Sequence, residues 1–435
     1  MSSQFALLKT RRFFPFFLTQ FLGAFNDNCF KAGLTILLTF QAAAWTTMSA
    51  GLIANLAAGL FMLPFFLFSA TAGQLADKYD KARIARFVKV LEIGIIALGG
   101  VGFALHSLTW LMAAVFFLGL HSTIFGPVKY AILPQALKPT ELLGGNALIE
   151  AGTFASILLG TILGGTLAAM TGGTVWITVV SLAVAVLGYL SSRQIPSCTA
   201  PAPELKVNWN PVTETWRNVR LAYQNKMVFV AIAAISWFWM YGALFLAQFP
   251  AYARNVLGGS ESVVTLLLAT FTIGIAAGSL ACEKLSAHKV EIGLVPVGAI
   301  GLAIFGADFA LGAPSPVPGA LHNAWDILTH LTTWRTLADL LGLGFFGGIF
   351  CVPLYALMQQ ASEEHLRARM IACNNIINAL YMVVGALGAA ALLEGGMPLP
   401  TLFLLAAGLH VVVCSALFVL KPEFYRGAIR WLRRT

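Results

Sequence analysis

The chain has 435 residues, of which 58% are hydrophobic and only 10% charged, with a mean hydropathy of +0.81. An ordinary soluble domain carries roughly 25% charged residues, so a water-soluble globular protein is excluded. The formal net charge of +9 is not a nucleic-acid footprint here, because in so apolar a chain the distribution of bases between alternate loops carries the information.

A bilayer core about 30 Å thick needs about 20 apolar residues per helix, and the chain supplies roughly twelve such stretches. They are expected near 13–40, 47–71, 84–105, 108–131, 143–169, 173–192, 227–250, 262–282, 290–311, 336–358, 370–393 and 399–420. The expected fold class is an all-α polytopic membrane protein with transmembrane helices in two pseudo-symmetric six-helix bundles. The first stretch contains charges and is too long for a signal-peptide core, so it reads as a true span.

That first span holds the most informative residues. Asp27 and Lys31 lie one helical turn apart in a segment whose surroundings are lipid or a bundle interior, where a charge is costly and usually functional. At this spacing they share a face and can partly neutralise each other. A structural ion pair would explain them, but Asn26 and Asn28 crowd the same turn and favour a polar lined cavity.

The loop charges set the orientation. Lys9, Arg11 and Arg12 precede the first span, and Lys78, Lys81, Arg83, Arg86 and Lys89 follow the second. Lys138, Arg193, Lys206, Arg217, Arg220, Lys226, Lys284, Lys289, Arg367, Arg369, Lys421, Arg426, Arg430, Arg433 and Arg434 fall on the same side, against Arg254 and Arg335 opposite. The positive-inside rule then puts both termini in the cytoplasm, which requires an even number of spans. The cysteines Cys29, Cys198, Cys282, Cys351, Cys373 and Cys414 lack metal-ligand spacing and read as small buried hydrophobes.

Four expected regions follow: a bundle over 1–192, a cytoplasmic linker over 193–226, a second bundle over 227–420 and a basic tail over 421–435. The linker bears Pro196, Pro201, Pro203 and Pro211. Its Trp209, Trp216 and bases fit either a segment lying on the membrane surface or a solvated tether. The two bundles echo each other, since Gly126-Pro-Val-Lys-Tyr-Ala-Ile-Leu-Pro-Gln-Ala136 parallels Cys351-Val-Pro-Leu-Tyr-Ala-Leu-Met-Gln-Gln-Ala361. Tyr130 pairs with Tyr355 and Gln135 with Gln360. Such duplication is the build of many secondary transporters, with the substrate near the midplane between repeats.

The loop Gly73-Gln-Leu-Ala-Asp-Lys-Tyr-Asp-Lys-Ala-Arg83 resembles the signature of the major facilitator superfamily and sits where that family carries it. Gly73 permits close helix approach. Asp77 is expected to cap a neighbouring helix N-terminus and to pair with a base, Lys81 and Arg83 being nearby, as a latch that breaks when the halves rock. The second half has Gly278-Ser-Leu-Ala-Cys-Glu-Lys284, in which Cys282 replaces the acid and Glu283 partly substitutes, giving a weaker latch.

The string Phe17-Leu-Thr-Gln-Phe-Leu-Gly-Ala-Phe-Asn-Asp-Asn28 resembles the bacterial lysophospholipid transporters of this superfamily, and the transporter part of proteins fused to a 2-acylglycerophosphoethanolamine acyltransferase. Gly126–Pro134 and Glu141–Glu150 fit the same family. The resemblance implies flipping of lysophospholipids such as lysophosphatidylethanolamine from the outer to the cytoplasmic leaflet of the bacterial inner membrane. It also implies, as a partner, an acyltransferase/acyl-carrier-protein synthetase acting on the product. No cofactor, metal or nucleic acid is expected, and a monomer is.

Such a cargo needs a cation for phosphate, acids or amides for amine and hydroxyls, and an apolar wall. Lys129, late in the fourth span, is the expected phosphate contact; Asp27 and Glu150 suit the ammonium, with Lys31 as a partner of Asp27. Asn28, Asn146, Asn378 and Gln248 supply further hydrogen bonds. Phe25, Phe30, Trp237, Trp239 and Tyr241 offer apolar wall, although packing is the commoner role for such rings. Glu92, His121 and Asp308 form a weaker set, a candidate proton relay. His322–Leu337 reads as an interfacial amphipathic helix rather than a metal site.

Two rival readings remain. An acyltransferase needs a histidine and an aspartate with four residues between them, and His322 to Asp326 has only three; no soluble catalytic segment follows the last span, so an enzyme is not expected. A proton-coupled exporter of drugs or small metabolites is compatible with the fold, which does not specify a substrate.

Overall fold

The computed structural model describes residues 4–41, 48, 50–286, 289–314, 322–330 and 333–433. Among them are twelve helices of 18 residues or more: α1 (Phe14–Gln41), α2 (Ala50–Lys78), α3 (Lys81–Ala104), α4 (Leu108–Ala131), α5 (Leu142–Ala169), α6 (Gly173–Ser192), α7 (Lys226–Asn255), α8 (Glu261–Leu285), α9 (Leu294–Leu311), α10 (Trp334–Ala361), α11 (Arg367–Glu394) and α12 (Leu399–Leu420). By length and composition 11 of them can cross a membrane. The polar turn Asn26-Asp27-Asn28 lowers the apolarity of α1 below the others.

Several helix ends run past the expected apolar stretches, while Leu294–Leu311 starts four residues inside its own. Asp80 starts α3 three residues early, its carboxylate accepting from the Ala82 backbone N–H at 2.8 Å, because a cap sets a helix start independently of hydropathy. The expected start of the second span, at residue 47, lies outside the described residues, as does Arg434.

The chain divides into two compact units, one of Met1–Pro139, Ala155–Asn225 and Gln359–Ile376, the other of Thr140–Phe154, Lys226–Met358 and Ile377–Thr435. In the first, α1 packs on α6, α2 on α4, and α3 on α4 and α6. Its core includes Cys29, Phe30, Leu34, Ile96, Phe103, Leu111, Val115 and Ile177. Gly160 and Gly164 press against the Phe25 and Cys29 carbonyls of α1, leaving no room for a Cβ. This small-xxx-small contact fixes α1 directly around Asp27.

In the second unit α9 packs on α12, and α7 on α8 and α12. Gly274 and Gly278 of α8 meet the backbone of α10 at Leu341 and Phe345, again with no room for side chains. A ring cluster of Phe245, Tyr252, Phe309 and Phe403 is buried, the Phe245 and Phe403 centroids 4.5 Å apart.

The linker is tied to the first unit. Gln74 Nε2 donates to the Asn208 carbonyl and Gln74 Oε1 accepts from the Asn208 N–H, at 2.9 and 2.8 Å. Ala202 N–H donates to the Asp77 carbonyl at 2.9 Å. Asn210 then caps a helix, Pro211–Gln224, that the proline-rich composition concealed; proline at its first position suits a helix start. Its buried face is Glu214, Asn218 and Ala222, while Val212, Trp216 and Tyr223 point outward. The expected amphipathic helix over His322–Leu337 is instead a short helix, Ala324–Thr329, closed by an Asn323/Asp326 capping box and followed by α10 from Trp334. The basic tail forms a helix, Glu423–Leu432, whose Gly427 abuts Gly293.

Candidate functional site: a buried charge network and an apolar pocket

Helices α1, α3 and α4 of the first unit bring together a network that is almost wholly withdrawn from solvent. Lys89 Nζ donates to Glu92 Oε2 at 2.6 Å, and Asn26 Nδ2 donates to Glu92 Oε1 at 2.7 Å. His121 Nε2 lies 3.3 Å from Glu92 Oε2, and its Nδ1 lies 3.0 Å from the Leu118 carbonyl and 3.7 Å from Asp27 Oδ1. Ser122 Oγ donates to Asp27 Oδ2 at 2.6 Å. The other oxygen of Asp27, Oδ1, has no hydrogen-bond donor among the described residues. Asp27 is thus a positioned acid with one acceptor unused, and a buried acceptor without a donor is costly to maintain.

Glycine makes room for the cation. A Cβ on Gly23 would stand 2.5 Å from Lys89 Nζ, and one on Gly188 would stand 3.3 Å from Lys89 Cδ. Lys89, counted with the cytoplasmic bases though inside the expected third stretch, lies within α3, 1% exposed. The spacing of Lys89 and Glu92, one turn apart, is the signal that could have found the pair. Glu92 and His121 come together as the relay reading expected; Asp308 does not join them, being bound to Arg335 Nε at 3.1 Å in the second unit.

Lys31 acts on Asp27 electrostatically, as its spacing predicts, but makes its nearest contact elsewhere. Its ammonium sits 3.8 Å from the centroid of the Phe61 ring, a cation–π contact, while the close partners of Asp27 are Ser122 and His121. Asn28 donates to the Ala24 carbonyl of its own helix at 2.7 Å. Lys129 is half-buried, with its ammonium 5.1 Å from the Tyr130 ring centroid. Glu150 and Asn146 are buried in the second unit, Asn146 donating to the Leu142 carbonyl at 2.9 Å. Asn378 accepts from Ser236 Oγ at 2.7 Å, and Gln248 is half-buried toward the end of α7.

The signature loop makes the expected kind of contact with an unexpected base. Asp77 Oδ1 accepts from the Ala368 backbone N–H at 3.1 Å, at the N-terminus of α11, and Asp77 Oδ2 accepts from Arg369 Nε at 3.2 Å. A Cβ on Gly73 would stand 2.7 Å from Ala372 Cβ, so the glycine lets the two helix ends meet. Lys81 is buried beside Asp77, whereas the Arg83 side chain is exposed and takes no part. In the second unit Cys282 donates to the Gly278 carbonyl at 3.4 Å, and Glu283 is buried.

Of the five aromatic candidates, Phe30 is core, packed near Phe103, and Phe25 packs on that core. Trp237 Nε1 donates to His410 Nδ1 at 2.9 Å and Tyr241 OH to the Leu302 carbonyl at 3.3 Å, both buried within the second unit. Of the five, Trp239 lines a pocket of about 70 Å³, bounded by Phe154, Phe238, Gly242, Phe271 and Met382 among others. Its ring stacks on Phe154 at 5.7 Å and 10°, and its Nε1 donates to Tyr355 OH at 2.9 Å.

A family profile described as Major Facilitator Superfamily matches residues 16–331. A protein named "Lysophospholipid transporter LplT" from Klebsiella pneumoniae is 28% identical over 377 residues, covering 84% of each chain. One of the same name from Escherichia coli (strain SE11) is 26% identical over 413 residues, covering 92% of this chain and 93% of its own. Among solved structures, the human organic anion transporter MFSD10 (TETRAN) superposes with a TM-score of 0.72 at 15% identity, covering 94% of this chain and 99% of its own. A single-residue variant of the E. coli fucose:proton symporter FucP does so at 0.68 and 11% identity, covering 95% and 100%; at such identities the likeness is one of fold.

Proposed function

Because this chain belongs to the major facilitator superfamily, we propose that it is a secondary transporter that moves lysophospholipids, such as lysophosphatidylethanolamine, from the outer to the cytoplasmic leaflet of a bacterial inner membrane. The observation that carries this reading is the match along 92% of the chain to relatives named for lysophospholipid transport. The residues suit the cargo. Asp27 holds one unbonded carboxylate oxygen in a lipid-length helix, a fitting acceptor for a head-group ammonium. Lys129 supplies a cation for the phosphate. Glu150, Asn146, Asn378 and Gln248 add polar groups for glycerol oxygens.

In this mechanism the two six-helix repeats rock, exposing the head-group site first to one leaflet and then to the other. The Asp77–Arg369 contact at the N-terminus of α11 is made in one conformation and broken in the other. Both termini are cytoplasmic, following the loop bases. The protein performs no covalent chemistry; re-acylation of the delivered lipid falls to a separate acyltransferase.

Purified protein in liposomes tests this reading with labelled lysophosphatidylethanolamine. Wild-type protein transports it, while Asp27→Asn and Lys129→Ala each lose at least about ten-fold in rate, the scale of one lost charge-assisted contact. Equal transport by both variants overturns the site assignment, and no transport by wild type overturns the function.

A further inference from the structure

We infer that the pocket beside Trp239 in the second unit takes part of the single acyl chain of the cargo, with the bonded polar pair Ser236 and Asn378 adjoining it on the same two helices. The inference rests on the transport reading above and adds a tail subsite that lies within the second unit alone.

The pocket lies between α7, α8, α11 and the first half of α5, with all its lining residues in one unit. Its wall is carbon: the flat stacked pair Phe154 and Trp239, with Phe238, Phe271 and Met382 around it. An apolar cavity of this kind stays dry and accepts hydrocarbon, since water entering it would find no hydrogen-bond partners. Gly242 opens it, because a Cβ built there would meet nothing within 4 Å. Met382 contributes an unbranched side chain that adapts to a flexible occupant.

Two helices carry the same gradient. Along α7, Ser236, Trp239, Ala243 and Leu246 recur on one stripe, and along α11 Asn378 is followed one turn later by Met382. The polar ends are joined, Ser236 Oγ donating to Asn378 Oδ1 at 2.7 Å. Ser236 is ten residues into α7 and Asn378 eleven into α11, so each stands about 15 Å from its helix start, half the thickness of a bilayer core. Polar groups at mid-depth that give way to hydrocarbon along the helix match a molecule with one polar head and one chain. A small polar solute would leave the carbon wall unused.

The test uses the full chain in detergent or nanodiscs. Gly242→Leu fills the opening from a position whose Cβ has open space around it, and Ile275→Phe narrows the pocket from α8 as an independent variant. Binding of sixteen-carbon and six-carbon lysophosphatidylethanolamine is measured, together with quenching of tryptophan fluorescence by a chain-brominated lysolipid in wild type and Trp239→Phe. Each methylene denied burial costs roughly four-fold in affinity. Both filling variants therefore bind the sixteen-carbon lipid at least about ten-fold more weakly, bind the six-carbon lipid like wild type, and the brominated chain quenches wild type more than Trp239→Phe. Unchanged binding of both lipids by both folded variants, or equal quenching with and without Trp239, overturns the subsite while leaving transport standing. Failure of wild type to bind either lipid overturns the transport reading and the subsite with it.

Discussion

Lys89 Nζ and Glu92 Oε2 stand 2.6 Å apart with side chains 1% and 0% exposed. A pair so far from water does not owe its presence to stability, since desolvating two charges offsets much of their attraction. What the pair provides is a fixed field beside Asp27, transmitted through His121, which lies 3.3 Å from Glu92 and 3.7 Å from Asp27. Asp27 is positioned by Ser122 and by this network, while Lys31 rests on Phe61.

Breaking the pair from one side leaves an uncompensated charge in the bundle. Glu92→Ala is expected to destabilise the protein by about 3–5 kcal/mol. The double variant Glu92→Gln with Lys89→Gln recovers most of that loss, because two amides restore a neutral hydrogen-bonded contact. Thermal unfolding of the purified protein in a fixed detergent measures both. A double variant as unstable as Glu92→Ala alone would show that the charges themselves are required.

Arg369 is 3% exposed and Asp77 fully buried, so Asp77→Asn weakens a charge-assisted contact while keeping a group that can still accept at the α11 N-terminus. The expected outcome is a stability loss of about 1–3 kcal/mol with a larger change in transport rate, since the proposed mechanism makes and breaks this contact in each cycle. Gly73→Val, whose Cβ would press on Ala372 and Arg369, shares that transport defect. Rates in liposomes and unfolding temperatures, taken together, separate the two effects. A rate that falls only in proportion to stability removes the latch role.

The legibility of the chain follows the same physics. Twelve apolar stretches were readable because the bilayer fixes helix length. Asp27 stood out because a charge in such a stretch is costly, although a structural ion pair with Lys31 also accounted for it. Lys89 was passed over because it was counted with the cytoplasmic bases Lys78 to Arg86, although it lay inside the expected third stretch at 84–105. The aromatics of α7 could not be sorted from sequence. That helix is apolar on every side, so nothing marks the stripe of Trp239 as facing a pocket and those of Trp237 and Tyr241 as facing His410 and Leu302. Arg369 was counted only as a loop base, because pairing Asp77 with a residue nearly three hundred positions on requires the fold.

Asp80 gives a pH prediction outside the membrane. Partial burial pushes its carboxyl up, but the Ser197 hydroxyl and the backbone N–H groups of Cys198, Ala82 and Arg83 outweigh that and hold it below the ordinary carboxylate range. A group depressed in the folded state stabilises at pH above its unfolded value, about 3.9, and that stabilisation disappears as pH falls from there through the folded value. Asp80→Ala is expected to cost about 1 kcal/mol at pH 7 as a lost cap, and its deficit relative to wild type shrinks below about pH 4. A deficit constant from pH 7 to pH 3 would assign the effect to the cap's shape rather than its charge.

The linker helix provides the last test. Trp209 and Trp216 are each 71% exposed and Tyr223 64%, with Arg217 and Arg220 on the same outer side, while the face turned to the protein is Glu214, Asn218 and Ala222. A helix that hides its polar face and displays aromatic rings and bases is inverted for water and suited to an anionic membrane surface, where rings sit among head groups and each base contributes about 1 kcal/mol. In nanodiscs, lipids brominated near the head group are expected to quench Trp209 and Trp216, read as the difference from the Trp209→Phe, Trp216→Phe variant. The quenching is stronger with anionic lipid present and weaker after Arg217→Gln with Arg220→Gln. Quenching absent in every lipid mixture would make the segment a solvated tether, the other reading of its composition.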